Sequence, residues 1–215
     1  MKRLLIYYGW PSAVPLEVYA RYDVVVLGAG LEEPDHPEHE KARAIIEWLP
    51  RVAFYGYLDL GMTTSALPPA ELHRRTGRWA ELGATGLLLD DYGDDYGVTR
   101  QRRAVAVANA HAVGLLVCAN AWRPEQATGL GRRDALLLES WPLERGGPES
   151  SRRQRAKLAR WMSRQCGCEV WSVGTGEPYA RLLQRSWYAA LRRGHAAAGY
   201  ARPDYQSWYL PEWLG

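Results

Sequence analysis

The chain predicts a compact (β/α)8 barrel, and three observations carry that expectation. Eight short apolar runs rich in Val, Ile, Leu and Ala recur along the 215 residues. Such continuous runs suit parallel strands covered on both faces. Longer amphipathic segments separate them, as crossover connections between parallel strands require. No low-complexity stretch or linker divides the sequence, so one domain over 1–215 is expected. That length is short for a fold whose members run to about 250 residues.

The first strand is expected at 3–9 (RLLIYYG), followed by a short connection over 11–22. The second strand (DVVVLGAG, 23–30) leads to a helix at 36–49, and the third strand follows at 51–60 (RVAFYGYLDL). PPAELHRRTGRWAELG (68–83) has Pro near its start and Gly at its end, the usual punctuation of a helix. The fourth strand (TGLLLDD, 85–91) precedes a helix at 98–114, and the fifth is GLLVCANAW (114–122). A short segment over 124–133 leads to the sixth strand, DALLLESW (134–141). Helices at 148–167 and 177–194 flank the seventh strand, CEVWSVGTG (168–176), and HAAAGYA (195–201) is the eighth. A doubly wound open sheet normally uses fewer strands. No GxGxxG follows the first strand, so no dinucleotide cofactor is expected.

Hydrophobic residues make up 47% of the chain, enough for a sizeable core. Twenty-seven basic residues against 24 acidic leave a net charge of +3, too balanced for a nucleic-acid partner. Basic residues cluster in helix-like segments such as SRRQRAKLAR (151–160), where a solvated face is the plain reading. Only Leu4, Leu5 and Ile6 precede the first tyrosines, whereas a signal peptide needs an apolar run of roughly 7–15 residues. No run approaches the ~18 apolar residues of a membrane span. The expectation is therefore a cytoplasmic, lysis-released or assembly-bound protein, or a secreted one if a leader has been removed. Cys118, Cys166 and Cys168 are read as structural thiols, since Cys166 and Cys168 stand too close in sequence for a relaxed disulfide.

In such a barrel, chemistry sits where strands end. Strand alternation places Tyr55, Tyr57 and Asp59 on one face, likewise Gly86, Leu88 and Asp90. Leu116, Cys118 and Asn120 share a face, as do Leu137 and Glu139. If these are the lumen faces, Asp59, Asp90, Asn120 and Glu139 converge at the mouth. Tyr8, Trp10, Trp122 and Trp141 stand at the ends of the first, fifth and sixth strands, and Tyr200 sits in the eighth. Ten Trp and 13 Tyr beside one Phe favour a site for amphipathic ligands, sugars included, although they also suit ordinary packing. Two carboxylates in a polar, aromatic cleft are the minimum equipment for glycoside hydrolysis.

Each candidate has a structural alternative. Asp90 could cap the following turn, Glu139 could pair with Arg123, and Asp59 could cap a loop or helix. Asn120 could bond the backbone of a βα loop. Asp91 is expected to point away from the mouth, and Asp94 and Asp95 read as solvated loop charges. The repeat DDYGDDYG lacks the alternating oxygen ligands and the Glu of an EF-hand, so no calcium is expected. His36 and His39 stand three apart around Pro37, which reads as a helix start and not a zinc motif. With only five histidines, a metal-dependent hydrolase is disfavoured. The terminal YARPDYQSWYLPEWLG is read as a tail packed over the barrel, with Tyr200 its best candidate to face the site.

GATGLLLDD resembles the fourth strand of the glycoside hydrolase family 114-like barrels, the endo-α-1,4-polygalactosaminidases and their relatives, with the Gly-to-Asp spacing at Gly86 and Asp90. LLLESW is similar to that family's sixth strand, which brings Glu139, and CANAW to its fifth, which brings Asn120. IYYGW and FYGYLDLG resemble its first and third strands. The family's third strand usually continues into Gly-Glu, where this chain has Asp59-Leu60-Gly61-Met62. The resemblance implies a barrel enzyme cleaving a galactosamine- or galactose-containing polysaccharide, with Asp90 and Glu139 as the catalytic carboxylates. The alternative expectation is a non-catalytic carbohydrate-binding barrel within a cell-surface or virion assembly.

Overall fold

The computed structural model describes residues 1–28, 30–141, 149–176, 180–206 and 208; for 149–153 and 180–182 it describes the backbone only. Eight parallel strands close a barrel in sequence order. They are β1 (Lys2–Tyr7), β2 (Val24–Leu27), β3 (Ala53–Asp59), β4 (Gly86–Asp90), β5 (Leu116–Asn120), β6 (Ala135–Leu138), β7 (Glu169–Thr175) and β8 (Ala197–Ala201). The intervening helices are α1 (Leu16–Tyr19), α2 (His39–Trp48), α3 (Pro69–Glu81), α4 (Arg100–Ala112), α5 (Glu149–Cys166) and α6 (Ala180–Arg192). The compact (β/α)8 class is therefore correct, with economies. α1 is a single turn, and the β5–β6 connection carries only a 3-10 turn at Pro124–Gln126. In both connections a proline opens a 3-10 turn, at Pro11 and at Pro124. Parts of the expected helices at 148–167 and 177–194 and of the tail, including Tyr209 and Trp213, lie outside the described residues. No described helix is long and apolar enough to cross a membrane.

The strands separate two apolar layers. Leu4, Ile6, Val24, Val26, Tyr55, Leu88, Cys118, Leu137, Trp171 and Val173 fill the lumen. Leu5, Val25, Phe54, Leu87, Leu89, Val117, Leu136 and Val170 face outward, under the helices. The inner layer contains the parity sets expected from alternation in β3 to β6. Trp79 of α3 lies flat against Gly56, where a Cβ would come within 2.1 Å of its ring. Cys118 is fully buried in the lumen, while the Cys166 and Cys168 sulfurs lie 3.5 Å apart as free thiols.

The glycine that opens β4 is explained by the lumen floor. Tyr55 and Trp171 meet edge to face there, with ring centroids 5.1 Å apart. A Cβ on Gly86 would stand 2.4 Å from the Tyr55 ring and 2.6 Å from the Leu116 carbonyl oxygen. The second neighbour is backbone and cannot swing aside. Gly86→Ala is expected to cost about 3 kcal/mol or more, the upper range of overpacking. Urea unfolding checks this; a loss below about 1 kcal/mol would show that the floor can relax.

Candidate active site

The mouth is built from the ends of β3, β4, β5 and β6. Asp90 is the last residue of β4 and continues its lumen face, above Leu88. Three donors surround its carboxylate. The Tyr57 hydroxyl donates to Oδ2 at 2.8 Å, the Asn120 amide to Oδ1 at 2.7 Å, and the Asp91 backbone N–H to Oδ1 at 2.9 Å. Glu139 directly follows β6, and its Oε2 accepts from the same Asn120 nitrogen at 3.0 Å. Its Oε1 accepts from the Tyr205 hydroxyl. Tyr8 closes the group, packing edge to face on Tyr57 with centroids 5.0 Å apart and tilted on Tyr205 at 5.1 Å.

Electrostatics follow from this crowding. Burial raises the Asp90 carboxyl to about 6, assisted by the charge of Glu139 and opposed by its donors. Burial and the two carboxylates also raise the Tyr8 and Tyr205 phenols, so both stay protonated, and Tyr205 serves as a donor to Glu139. Tyr57 is raised too, by burial first and then by Asp90.

Asn120 fixes the spacing of the acids. One amide nitrogen with legs of 2.7 and 3.0 Å holds the two carboxylate oxygens no more than 5.7 Å apart. With the roughly 120° between the two hydrogens of a planar amide, the gap is about 5 Å.

Other candidates are placed differently. Asp59 lies beside Asp90 in register, yet its carboxylate turns into its own loop. There Oδ1 accepts from the Gly61 N–H at 2.7 Å and lies 3.0 Å from the Thr64 hydroxyl. Asp91 takes a left-handed backbone, φ 51°, leaves the face of Asp90, and meets the same Thr64 hydroxyl at 2.9 Å. Asp95 pairs with Arg123 at 2.9 Å, which leaves Glu139 to Asn120 and Tyr205. Asp94 is more than a solvated charge, because it accepts from the buried Arg103 at 2.8 Å. Trp10 and Trp122 are 57% and 51% exposed on the loops that follow β1 and β5. Trp10 lies against His36 and Trp122 beneath the Arg155 guanidinium. His39 opens α2 and bonds the Leu31 carbonyl at 2.9 Å, as a helix-start histidine would. No group of three or more His, Cys, Asp or Glu is arranged to hold a metal among the described residues.

Two expected wall residues face elsewhere. Trp141 is buried in the outer layer, beside His195 and Arg193. Ser140 is left-handed, φ 56°, and this one residue breaks the alternation after Glu139. Tyr200 pairs in register with Gly174 on the outward face of β8, and its hydroxyl bonds the Gly176 carbonyl. Tyr205, five residues on, reaches the mouth instead. Its carbonyl accepts from the Tyr8 N–H at 2.7 Å, which ties this segment over β1.

No protein-family model matches the chain, and no curated protein matches it. Solved structures do. The glycoside hydrolase domain of PelA from Pseudomonas aeruginosa superposes with a TM-score of 0.66 at 17% identity, over 95% of this chain and 96% of that one. A Rubisco-like protein from Rhodopseudomonas palustris gives 0.58 at 15% identity, over 93% of this chain and 59% of that one. An HpcH/HpaI aldolase from Desulfitobacterium hafniense gives 0.56 at 11% identity, over 94% and 87%. At these identities the likeness is one of fold.

Proposed function

We propose that the chain is a retaining glycosidase acting on a galactosamine- or galactose-containing polysaccharide. The observation that carries this reading is the pair Asp90 and Glu139 bridged by Asn120. Their two bridged oxygens, Asp90 Oδ1 and Glu139 Oε2, lie within 5.7 Å of each other. Retaining enzymes separate their carboxyl groups by about 5–5.5 Å, and inverting ones by roughly 6.5–9.5 Å to admit a water. The end-to-end likeness in fold to the PelA glycoside hydrolase domain supports the same class. The exposed rings of Trp10 and Trp122 offer stacking surfaces for sugars on the βα-loop side.

Asp90 is the nucleophile in this scheme. Two of its three donors are N–H groups, which can only donate and so favour the carboxylate. Its carboxyl, at about 6, is ionised at neutral pH. It attacks the anomeric carbon while Glu139 gives its proton to the departing glycosidic oxygen. A glycosyl ester on Asp90 forms as the glycosidic C–O bond breaks. Glu139, now ionised, takes a proton from water, and the resulting hydroxide displaces Asp90 from the anomeric carbon. Two inversions give net retention. The Tyr205 phenol can donate to Glu139 or accept from it, and so accompanies both of its protonation states.

A glycan panel followed by NMR of the first-formed product tests this. The expected product keeps the anomeric configuration of the substrate; an inverted product would overturn the scheme. Binding without any release of reducing ends would leave the barrel as a carbohydrate-binding module. The pH profile separates the roles. A nucleophile titrating near 6 makes kcat/KM fall as pH drops below about 6. If Asp90 were the acid, activity would instead be lost as pH rises through that value.

A further inference from the structure

A cavity of about 390 Å³ opens on the outer wall between the C-terminal halves of α5 and α6. The barrel wall separates it from Asp90. Arg160 and Arg164 of α5, Arg192 at the end of α6, and Arg193 line it, with His195 behind them and Val170 as an apolar wall. None of these arginines makes an ion pair among the described residues. Cations at helix C-termini commonly serve the terminal carbonyls. That role accounts for two of the four: Arg160 donates to the Arg193 carbonyl at 2.7 Å, and Arg193 to the Ala189 carbonyl at 3.3 Å. Arg164 and Arg192 have no such bond among the described residues.

His195 reports the local sign of charge. It is 6% exposed, and its Nδ1 lies 3.0 Å from the Ser172 hydroxyl of β7. Trp141 packs on its ring from the β6 side. Burial, and then Arg193 and Arg160, hold the imidazole down to about 4. Cations face it from α5 and from the α6 terminus, and no carboxylate among the described residues lines the cavity.

We propose that this cavity binds a phosphorylated small molecule, with the Arg164 and Arg192 guanidinium groups gripping the phosphate and the carbon body lying against Val170. Planar guanidinium forks match phosphate oxygens in pairs. The cavity falls within the ~300–1,000 Å³ of small-molecule sites and exceeds what a bare phosphate fills.

Calorimetry at constant ionic strength tests this with three probes: sodium chloride, inorganic phosphate and a hexose 6-phosphate. Saturable binding of the ester is expected, at least tenfold tighter than inorganic phosphate, with no response to chloride. NMR titration of the His195 ring should show its pKa rise by a unit or more when the ester is bound, since a bound anion favours the imidazolium. Arg164→Gln with Arg192→Gln should weaken the ester at least tenfold at unchanged thermal stability. Should the double variant fail to fold, Arg192→Lys serves in its place, keeping the charge but losing the fork and much of the affinity. A response equal to that of chloride, phosphate binding as tightly as the ester, or unaltered affinity in the variants would overturn the proposal.

Discussion

Replacing Asp90 with Asn is expected to abolish glycosidic turnover and, in the same molecule, to raise stability at neutral pH. The loss follows from removing the proposed nucleophile; about 10³-fold or more in kcat is the scale seen when a covalent nucleophile is deleted. The gain follows from linkage. The Asp90 carboxyl titrates at about 6 in the folded protein against 3.8 in the reference state. The folded state therefore holds its proton more tightly. Its stabilising contribution is complete below the unfolded value and is lost as pH rises through about 6. At pH 7 the ionised, buried carboxylate costs on the order of 2–3 kcal/mol, which asparagine does not incur. Asparagine also fits the surrounding donors. Its carbonyl can accept from Asn120 and from the Asp91 N–H, and its amide can donate to the Tyr57 oxygen. The melting temperature should rise by several degrees at pH 7, at roughly 2–4 °C per kcal/mol for a chain of this size, and the gap should close near pH 4. Reducing-end assays and thermal unfolding at the two pH values check both halves. A variant that loses turnover and stability together would mark Asp90 as a structural carboxylate, and undiminished hydrolysis would remove it from the chemistry.

The half of the site built on regular strand was legible in the sequence. Period-two alternation places Tyr57, Asp90 and Asn120 on lumen faces, because a buried strand offers each side chain only two directions. In the structure all three meet at the mouth. What alternation could not supply lies one residue past a strand end. Ser140 turns left-handed and sends Trp141 into the outer layer, though Glu139 stays on course. Asp59 keeps its place in the ladder, but short-range bonds to Gly61 and Thr64 take its carboxylate. Such local competition by Asp side chains has no apolar period to betray it. The tail shows the same limit. The density of aromatics at 200–213 signals that something covers the barrel. Which ring arrives depends on the turn at 202–205, where Tyr205 is left-handed, φ 52°. That turn delivers Tyr205 to Glu139 and leaves Tyr200 on the outer face. By sequence Arg123 is an alternative partner for Glu139, and the loop after Asp91 brings Asp95 to it instead.

On the proposed scheme, replacing Glu139 with Ala should cripple turnover of a polysaccharide while sparing substrates that need no acid. In the proposed scheme Glu139 protonates the leaving oxygen, a step worth about 10²–10⁴-fold for a poor leaving group. A sugar hydroxyl departing from a polysaccharide is such a group, so turnover should fall by about 10³-fold. A dinitrophenyl glycoside of the same sugar leaves without protonation, and formation of the Asp90 ester should then be slowed by less than about tenfold. Hydrolysis of that ester still needs a base to activate water, so the intermediate accumulates and a burst of dinitrophenol precedes a slow steady state. Azide needs no base and fits the space left by the missing carboxylate. Adding it should restore the steady-state rate and yield a glycosyl azide of retained configuration. The Asp90→Asn variant provides the contrast, since it should show no burst with any leaving group. A Glu139→Ala enzyme equally impaired on both substrates would exclude Glu139 as the acid.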